Sequence, residues 1–236
     1  MQLFYHPEIP VQGAFTLDAA ESKHLVKVLR KRIGDEIPVT NGKGFLYRCR
    51  ILTDTITACR LEVLESEPGK DVQKASLHLA ISPVKNPSRF EWFLEKATET
   101  GVAEITPLIC QRTEKQSIKQ ERLVNLLVSA MKQSGRTLLP ALNPPTPFVE
   151  LLRQKRDNPA HIAWCGAKDL PFLGKVLAPG TDALILIGPE GDFTPQEAEM
   201  AINHHFLPVS LANATLRTET AGLVAAMVFN VVNADL

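Results

Sequence analysis

The stretch "ALILIGPEGDFTPQE", Ala183 to Glu197, decides the architecture. Its opening residues, Ala183 to Ile187, are apolar without polar alternation, the pattern of a parallel strand covered on both faces. Gly188-Pro189-Glu190-Gly191-Asp192 then reads as a turn. Thr194, Pro195 and Glu197 spell a capping box with proline at the first helical position. A strand, a glycine turn and a capped helix predict one strand–helix unit of an α/β domain. In open sheets of that kind, ligands bind outside the carboxyl ends of the strands, where this turn lies.

The same alternation extends in both directions. "ASLHLAIS" reads as a strand, and Asn86-Pro87 starts a helix with Phe90, Phe93, Leu94 and Ala97 on one face and Gly101 beyond its end. "VAEITPLIC" is a strand, followed by a helix whose face carries Leu123, Leu126, Leu127, Ala130 and Met131, stopped by Gly135. A short helix follows Thr146-Pro147, "HIAWCG" is a strand, and a brief helical stretch is expected from Lys168. "LPVSL" is a last strand, and a final helix starts near Thr218. The prediction is an α/β domain with a mostly parallel sheet over 69–236.

Residues 1–68 read differently, as a small β-rich domain in which "NGKG" marks a hairpin among Val-, Ile- and Thr-rich runs. One helix interrupts it. Asp18 is positioned to cap it and Glu21 stands at the capping-box position. Gly34 ends it, with Leu25, Val26, Leu29 and Ile33 facing inward. The polar, Pro-Gly-containing segment Glu65 to Ser76 is the expected linker.

Composition narrows the function classes. The 236 residues carry 26 basic and 26 acidic side chains, so net charge gives no sign of a nucleic-acid partner and any such sign must be local. "MQLFYHPEIP" lacks the basic start and apolar core of a secretory signal, and the longest uncharged apolar segment, Ala221 to Val232, is too short for a membrane span. A cytoplasmic protein without membrane attachment is expected. Cys49, Cys59, Cys110 and Cys165 have no metal-site spacing and read as reduced thiols. His204 and His205 are adjacent and do not share a helix face, so no metal is expected.

The Gly188–Asp192 turn lacks the lysine of a phosphate-binding loop and carries two acids that repel phosphate. Either it holds a ligand with a neutral or positive face or it only reverses the chain. A second loop, "LANATLRTETAG" (Leu211 to Gly222), is long for a strand–helix connection and offers Arg217 and Glu219. "SKHLVKVLRKR" places Lys23, Lys27, Arg30 and Lys31 at the spacing of one helical stripe, with Arg32 beside it. It is either a phosphate-backbone footprint or a solvated face. A second basic cluster comprises Arg112, Lys115, Lys132 and Arg136. The uncharged final helix is buried either within one subunit or at a subunit interface.

Together these segments carry a family likeness. "IGPEGDFTPQE" and "LANATLRTETAG" resemble two signature segments of the bacterial small-subunit ribosomal RNA uracil-N3 methyltransferases of the SPOUT superfamily. "KNPSRFEWFLEKATETGVAEITPL", "AMKQSGRTLLP" and "KHLVKVLRKRIGDEI" are similar to further segments of that family, in the same order along nearly the whole chain. Asp192 and Ala212 stand where the family usually has glycine, and Glu99-Thr100-Gly101 where it has Glu-Leu-Gly.

The resemblance implies a PUA-like β-barrel domain over 1–68 that grips RNA and a trefoil-knotted SPOUT domain over 69–236. It implies a homodimer that methylates uridine N3 in 16S rRNA or the small ribosomal subunit. Its cofactor would be S-adenosyl-L-methionine, whose cationic groups suit an acidic turn. The implied cofactor-binding residues are Ile187, Gly188, Pro189, Glu190, Gly191, Leu211, Ala212, Leu216, Arg217, Thr220 and Ala221. Arg217 and Glu219 are the expected catalytic residues. The expected RNA-binding residues are Lys23, His24, Lys27, Arg30, Arg32, Arg112, Lys132 and Arg136. The alternatives are methylation of another RNA base or a non-catalytic RNA-binding homologue.

Overall fold

A computed structural model describes residues 2–69, 74–114 and 116–234. The chain forms two compact units. The first holds the described residues up to 69 together with Val128–Leu139, and the second holds the rest.

In the first unit, β1 (Phe4–Tyr5), β2 (Gly13–Thr16), β3 (Glu36–Thr40), β4 (Phe45–Thr53) and β5 (Arg60–Pro68) form one sheet in the order β1-β3-β4-β5-β2. The expected hairpin joins β3 to β4, where the Asn41 side chain accepts from the Lys43 N–H at 2.9 Å. Alternate residues of these strands, among them Val39, Cys49, Ile51 and Leu61, are fully buried against Phe4 and Leu25. Burial pushes the Cys49 thiol up to about 12 and the Cys59 thiol to about 11, so both are inert at neutral pH.

The polar segment from Glu65 is not all linker. β5 runs to Pro68, paired with β4, because Arg48 binds Glu65 at 2.6 Å and Glu36 at 2.7 Å across neighbouring strands.

The first-unit helix, α1 (Ala19–Lys23), is shorter than its apolar spacing predicts. Asp18 accepts from the Glu21 N–H at 2.8 Å, as a cap does. At His24–Val28 the chain widens into a π-helical turn, with the Leu29 N–H donating to the His24 carbonyl. Arg30 then takes a left-handed conformation (φ 56°) that ends the helix. Ile33 is consequently 63% exposed rather than inward, and the basic residues do not form one α-helical stripe.

In the second unit the strands are β6 (Leu77–Ile81), β7 (Glu104–Ile109), β8 (Ala141–Leu142), β9 (Thr146–Pro147), β10 (Ala160–Ala163), β11 (Ala183–Ile187) and β12 (Leu207–Val209). The helices are α2 (Pro87–Thr100), α4 (Phe148–Arg153), α5 (Leu173–Val176), α6 (Pro195–Asn203) and α7 (Thr218–Val232), while α3 (Gln120–Ser134) starts in this unit and from Val128 belongs to the first. The first four residues of the α3 face named above are buried or half-buried, and Met131 is fully buried.

The strand order is β12-β10-β11-β6-β7-β8, with β9 also on β7, and every pairing is parallel. β11 lies between β10 and β6, and all five of its residues are buried, as its unbroken apolar run predicts. The α6 capping box forms: Thr194 accepts from the Glu197 N–H at 3.2 Å and Glu197 accepts from the Thr194 N–H at 2.9 Å.

The helix expected from Lys168 begins only at Leu173. Asp169 is left-handed (φ 58°), and Pro171, Phe172 and Leu173 pair instead with Ser210 beyond β12.

α7 runs alongside α2 in the same direction, with Glu219 opposite Arg89, Gly222 against Phe93, and Asn230 donating to the Thr100 carbonyl at 2.6 Å. A Cβ on Gly222 would lie 2.6 Å from the Phe93 ring, so glycine is what lets the two helices approach this closely. α7 is not buried all round: Met227 and Val231 are 47% and 71% exposed.

Candidate active site

Three loops at the carboxyl ends of β10, β11 and β12 converge on one cavity of about 520 Å³. The turn after β11 contributes Gly188, Pro189, Glu190 and Asp192, and the loop after β12 contributes Ser210 to Leu216. The first turn of α7 closes it with Thr218 and Ala221. The third loop, after β10, supplies Trp164, Cys165, Ala167, Asp169 and Leu170. Sequence reasoning passed over it, although it too leaves the carboxyl end of a parallel strand and contains a glycine and an acid.

Side chains lock these loops together. The Thr218 hydroxyl donates to the Gly188 carbonyl at 3.0 Å, tying the start of α7 to the end of β11. Asp192 adopts φ 59°, a left-handed conformation that aspartate tolerates better than most residues. Its carboxylate accepts from its neighbour's N–H, Phe193, at 2.8 Å and from the Cys165 N–H at 3.0 Å. Aspartate thus fills a backbone position suited to glycine and also staples two loops, which glycine cannot do. Ala212 is not among the residues with positive φ, so alanine is unstrained there. Glu190 accepts from the Lys85 N–H at 3.0 Å, which anchors the turn to the segment entering α2.

Of the expected cofactor-binding residues, Ile187, Gly188, Pro189, Glu190, Leu211, Ala212, Leu216 and Ala221 line the cavity. Gly191, Arg217 and Thr220 are not in its wall. The Gly191 carbonyl accepts from the Arg112 guanidinium. Arg217 is exposed and occupies the N-cap position of α7, between the lining residues Leu216 and Thr218. Glu219 is 7% exposed; its Oε1 lies 3.8 Å from Arg89 Nε, and its Oε2 is buried without a hydrogen-bond partner.

The cavity's electrostatics are one-sided. Asp169, Glu190 and Asp192 line it, and among the described residues no lysine, arginine or histidine does. Ile187, Leu211, Leu216 and Trp164 give it apolar walls. Such a lining suits a ligand with a flat apolar part and positive charge, and disfavours a phosphate. No cluster of metal-binding side chains occurs among the described residues.

The expected RNA-binding residues are divided between the units. In the first, Lys23, Lys27, Arg30 and Arg32 are exposed, although Arg32 lies 3.5 Å from Asp54. His24 is half-buried beside the Phe4 ring. Lys132 is paired with Glu21, and Arg136 is half-buried. Arg112 belongs to the second unit, and Lys115 lies outside the described residues.

Comparison with known proteins shows the family. The RNA methyltransferase domain family matches residues 72–230, and the RNA methyltransferase PUA domain family matches residues 17–58. The chain belongs to the RNA methyltransferase family. Within that family it is 30% identical, over 95% of its own length and 75% of the relative's, to ribosomal RNA small subunit methyltransferase E of Synechocystis. Among solved structures it is similar to a probable rRNA-methyltransferase from Porphyromonas gingivalis. That similarity has a TM-score of 0.92 at 35% identity, covering 100% of this chain and 99% of the other. It is also similar to a ribosomal RNA small subunit methyltransferase E from Neisseria gonorrhoeae bound to S-adenosyl methionine. There the TM-score is 0.88 at 28% identity, covering 99% and 98%. The expected architecture, a parallel α/β domain preceded by a small β-rich PUA-like domain, is the one these family members share.

Proposed function

We propose that the chain transfers the methyl group of S-adenosyl-L-methionine to N3 of a uridine in small-subunit (16S) ribosomal RNA. The observation that carries this reading is the cavity, acidic and apolar and with no cation among its described lining residues, at the carboxyl ends of three parallel strands. Its chemistry fits the cofactor. Asp169 and Glu190 face a space suited to cationic sulfonium and ammonium groups, and Ile187, Leu211, Leu216 and Trp164 suit an adenine ring. Gly188, packed under the Phe193 ring where a Cβ would lie 3.1 Å from it, lets backbone approach the ligand. In this reading Pro189, Gly191, Ala212, Arg217, Thr220 and Ala221 complete the cofactor site.

When bound, S-adenosyl-L-methionine supplies an activated methyl, so its S–C bond breaks as the N3–C bond forms and no metal is needed. The protein's task is to hold N3 in line and to favour loss of its proton to water. Positioning of this kind supplies several kcal/mol of a barrier. Arg217, at the cavity's edge, stabilises negative charge growing on the uracil oxygens. Glu219 belongs to the same site as a positioning residue.

Residues 1–68 act as the PUA-like RNA-gripping domain, with Lys23, His24, Lys27, Arg30 and Arg32 on the RNA. Arg112, Lys132 and Arg136 contribute further basic contacts. Residues 69–236 form the SPOUT domain, with its last helix threaded as a trefoil knot. The exposed apolar side chains Met227 and Val231 on α7 support a homodimer. Its place of work is the cytoplasm, and no helix among the described residues is long and apolar enough to cross a membrane. The test is Arg217→Ala. Methylation should fall at least ~100-fold, while calorimetric binding of S-adenosyl-L-methionine persists; near-wild-type activity would remove Arg217 from the mechanism.

A further inference from the structure

We infer that Arg89 is a substrate-contacting residue of this site, aimed by Glu219, and that it stabilises the negative charge that grows on the target base. The inference rests on the uridine-N3 reading above. It starts from a carboxylate in an unusual setting. Glu219 lies in the first turn of α7, next to the cavity-lining Thr218, and is 7% exposed. One oxygen, Oε2, is buried without a partner, and the other faces the Arg89 Nε at 3.8 Å, longer than a hydrogen bond. A buried, half-satisfied carboxylate is costly, and a facing guanidinium offsets part of that cost while the carboxylate fixes the direction of the cation.

The placement is built into the fold. Gly222 brings α7 against Phe93 of α2, and with the helices running in the same direction this sets Arg89, one turn before Phe93, opposite Glu219. The entry to α2 is fixed from the other side, where the Lys85 N–H donates to Glu190 of the cavity wall. Arg89 is not part of the cavity wall and is not enclosed: its side chain is 43% exposed, with Nε the nitrogen that faces Glu219. The other charges nearby in these segments are Lys85, paired with Glu114 at 2.9 Å, Glu190, and Arg217 two residues before Glu219.

The chemistry gives this cation a task. Uracil N3 is a weakly acidic imide flanked by two carbonyl oxygens, and negative charge spreads to those oxygens as N3 gives up its proton. A guanidinium donor beside one oxygen lowers the energy of that anion, an effect of the kind supplied by oxyanion holes. Glu219 is then a positioning residue, acting through Arg89.

The test uses the full-length protein on small subunits reconstituted from rRNA transcripts made with uridine or with 5-fluorouridine, whose N3–H is more acidic. Arg89→Met should lower kcat by about tenfold to a hundredfold on the uridine substrate. KM and S-adenosyl-L-methionine affinity should change little, and the rising limb of the pH–rate profile should move to higher pH. The deficit should shrink on the 5-fluorouridine substrate, where less stabilisation is needed. Arg89→Lys should retain part of the rate, and Glu219→Gln should shift the pH profile the same way by a smaller amount. A wild-type rate in Arg89→Met would overturn the inference. So would an equal deficit on both substrates, which marks a phosphate contact or a structural role. If the wild-type protein forms neither 3-methyluridine on the uridine transcript nor 5-fluoro-3-methyluridine on the other, the uridine assignment itself fails, and the role of Arg89 with it.

Discussion

The hydroxyl of Thr218 donates to the carbonyl of Gly188 at 3.0 Å, a buried bond between residues thirty positions apart. It joins the first turn of α7 to the last turn of backbone before the cavity. Thr218→Val keeps the shape and removes the donor, leaving the carbonyl unpaired. We expect a loss of about 1–3 kcal/mol in chemical denaturation and weaker S-adenosyl-L-methionine binding by calorimetry. Thr218→Ser, which restores the donor, should recover most of both.

The signals that made this region readable are local. β11 announced itself by an unbroken apolar run, α6 by its capping box, and the turn between them by its glycines and acids. None of these needs a distant partner. The loop after β10 carries no such local signal because tertiary pairing shapes it: the Leu173 N–H donates to the Ser210 carbonyl, the Ser210 N–H donates to the Pro171 carbonyl, and Cys165 is held by Asp192. α1 ends before its apolar spacing does because the π turn and left-handed Arg30 override an α-helical spacing that is present in the residues. The Arg89–Glu219 pair was invisible because it depends on the register between two helices more than a hundred residues apart, set by one glycine.

Among the four cysteines, three are buried and only Cys165 is exposed, and it lines the cavity. Burial and the neighbouring Asp192 hold its thiol above the usual range, so it reacts slowly at neutral pH. Maleimide labelling at mildly alkaline pH should modify one cysteine, identified as Cys165 by peptide mass mapping. Saturating S-adenosyl-L-methionine should protect it. Unchanged labelling in the presence of cofactor would place the cofactor elsewhere.

Gly222 sets how closely α7 approaches α2. Alanine gains up to about 1 kcal/mol of helix propensity, but its Cβ would sit 2.6 Å from the Phe93 ring and 2.7 Å from Ile81. Overpacking of that severity costs about 1–3 kcal/mol and outweighs the gain. Gly222→Ala should therefore lower the denaturation midpoint. Because it also parts Arg89 from Glu219, it should slow methylation more than it weakens cofactor binding.

His161 in β10 is 2% exposed with an unpartnered Nδ1, and burial holds its pKa below the ordinary 6.5. The folded chain refuses a proton that the unfolded chain accepts, so stability is unaffected above about pH 6.5 and falls as pH drops below it. His78, also depressed by burial although opposed by Glu104, acts in the same direction. Thermal melting of His161→Leu between about pH 8 and pH 5 should show a flatter acid limb than the wild type. His78 should account for part of the slope that remains.

Methylation of uridine N3 in small-subunit rRNA is tested by mass mapping of modified nucleosides in 16S rRNA from cells lacking this protein. One 3-methyluridine should be missing there, restored by the wild-type chain and not by Arg217→Ala. Persistence of 3-methyluridine in the deletion strain would contradict it.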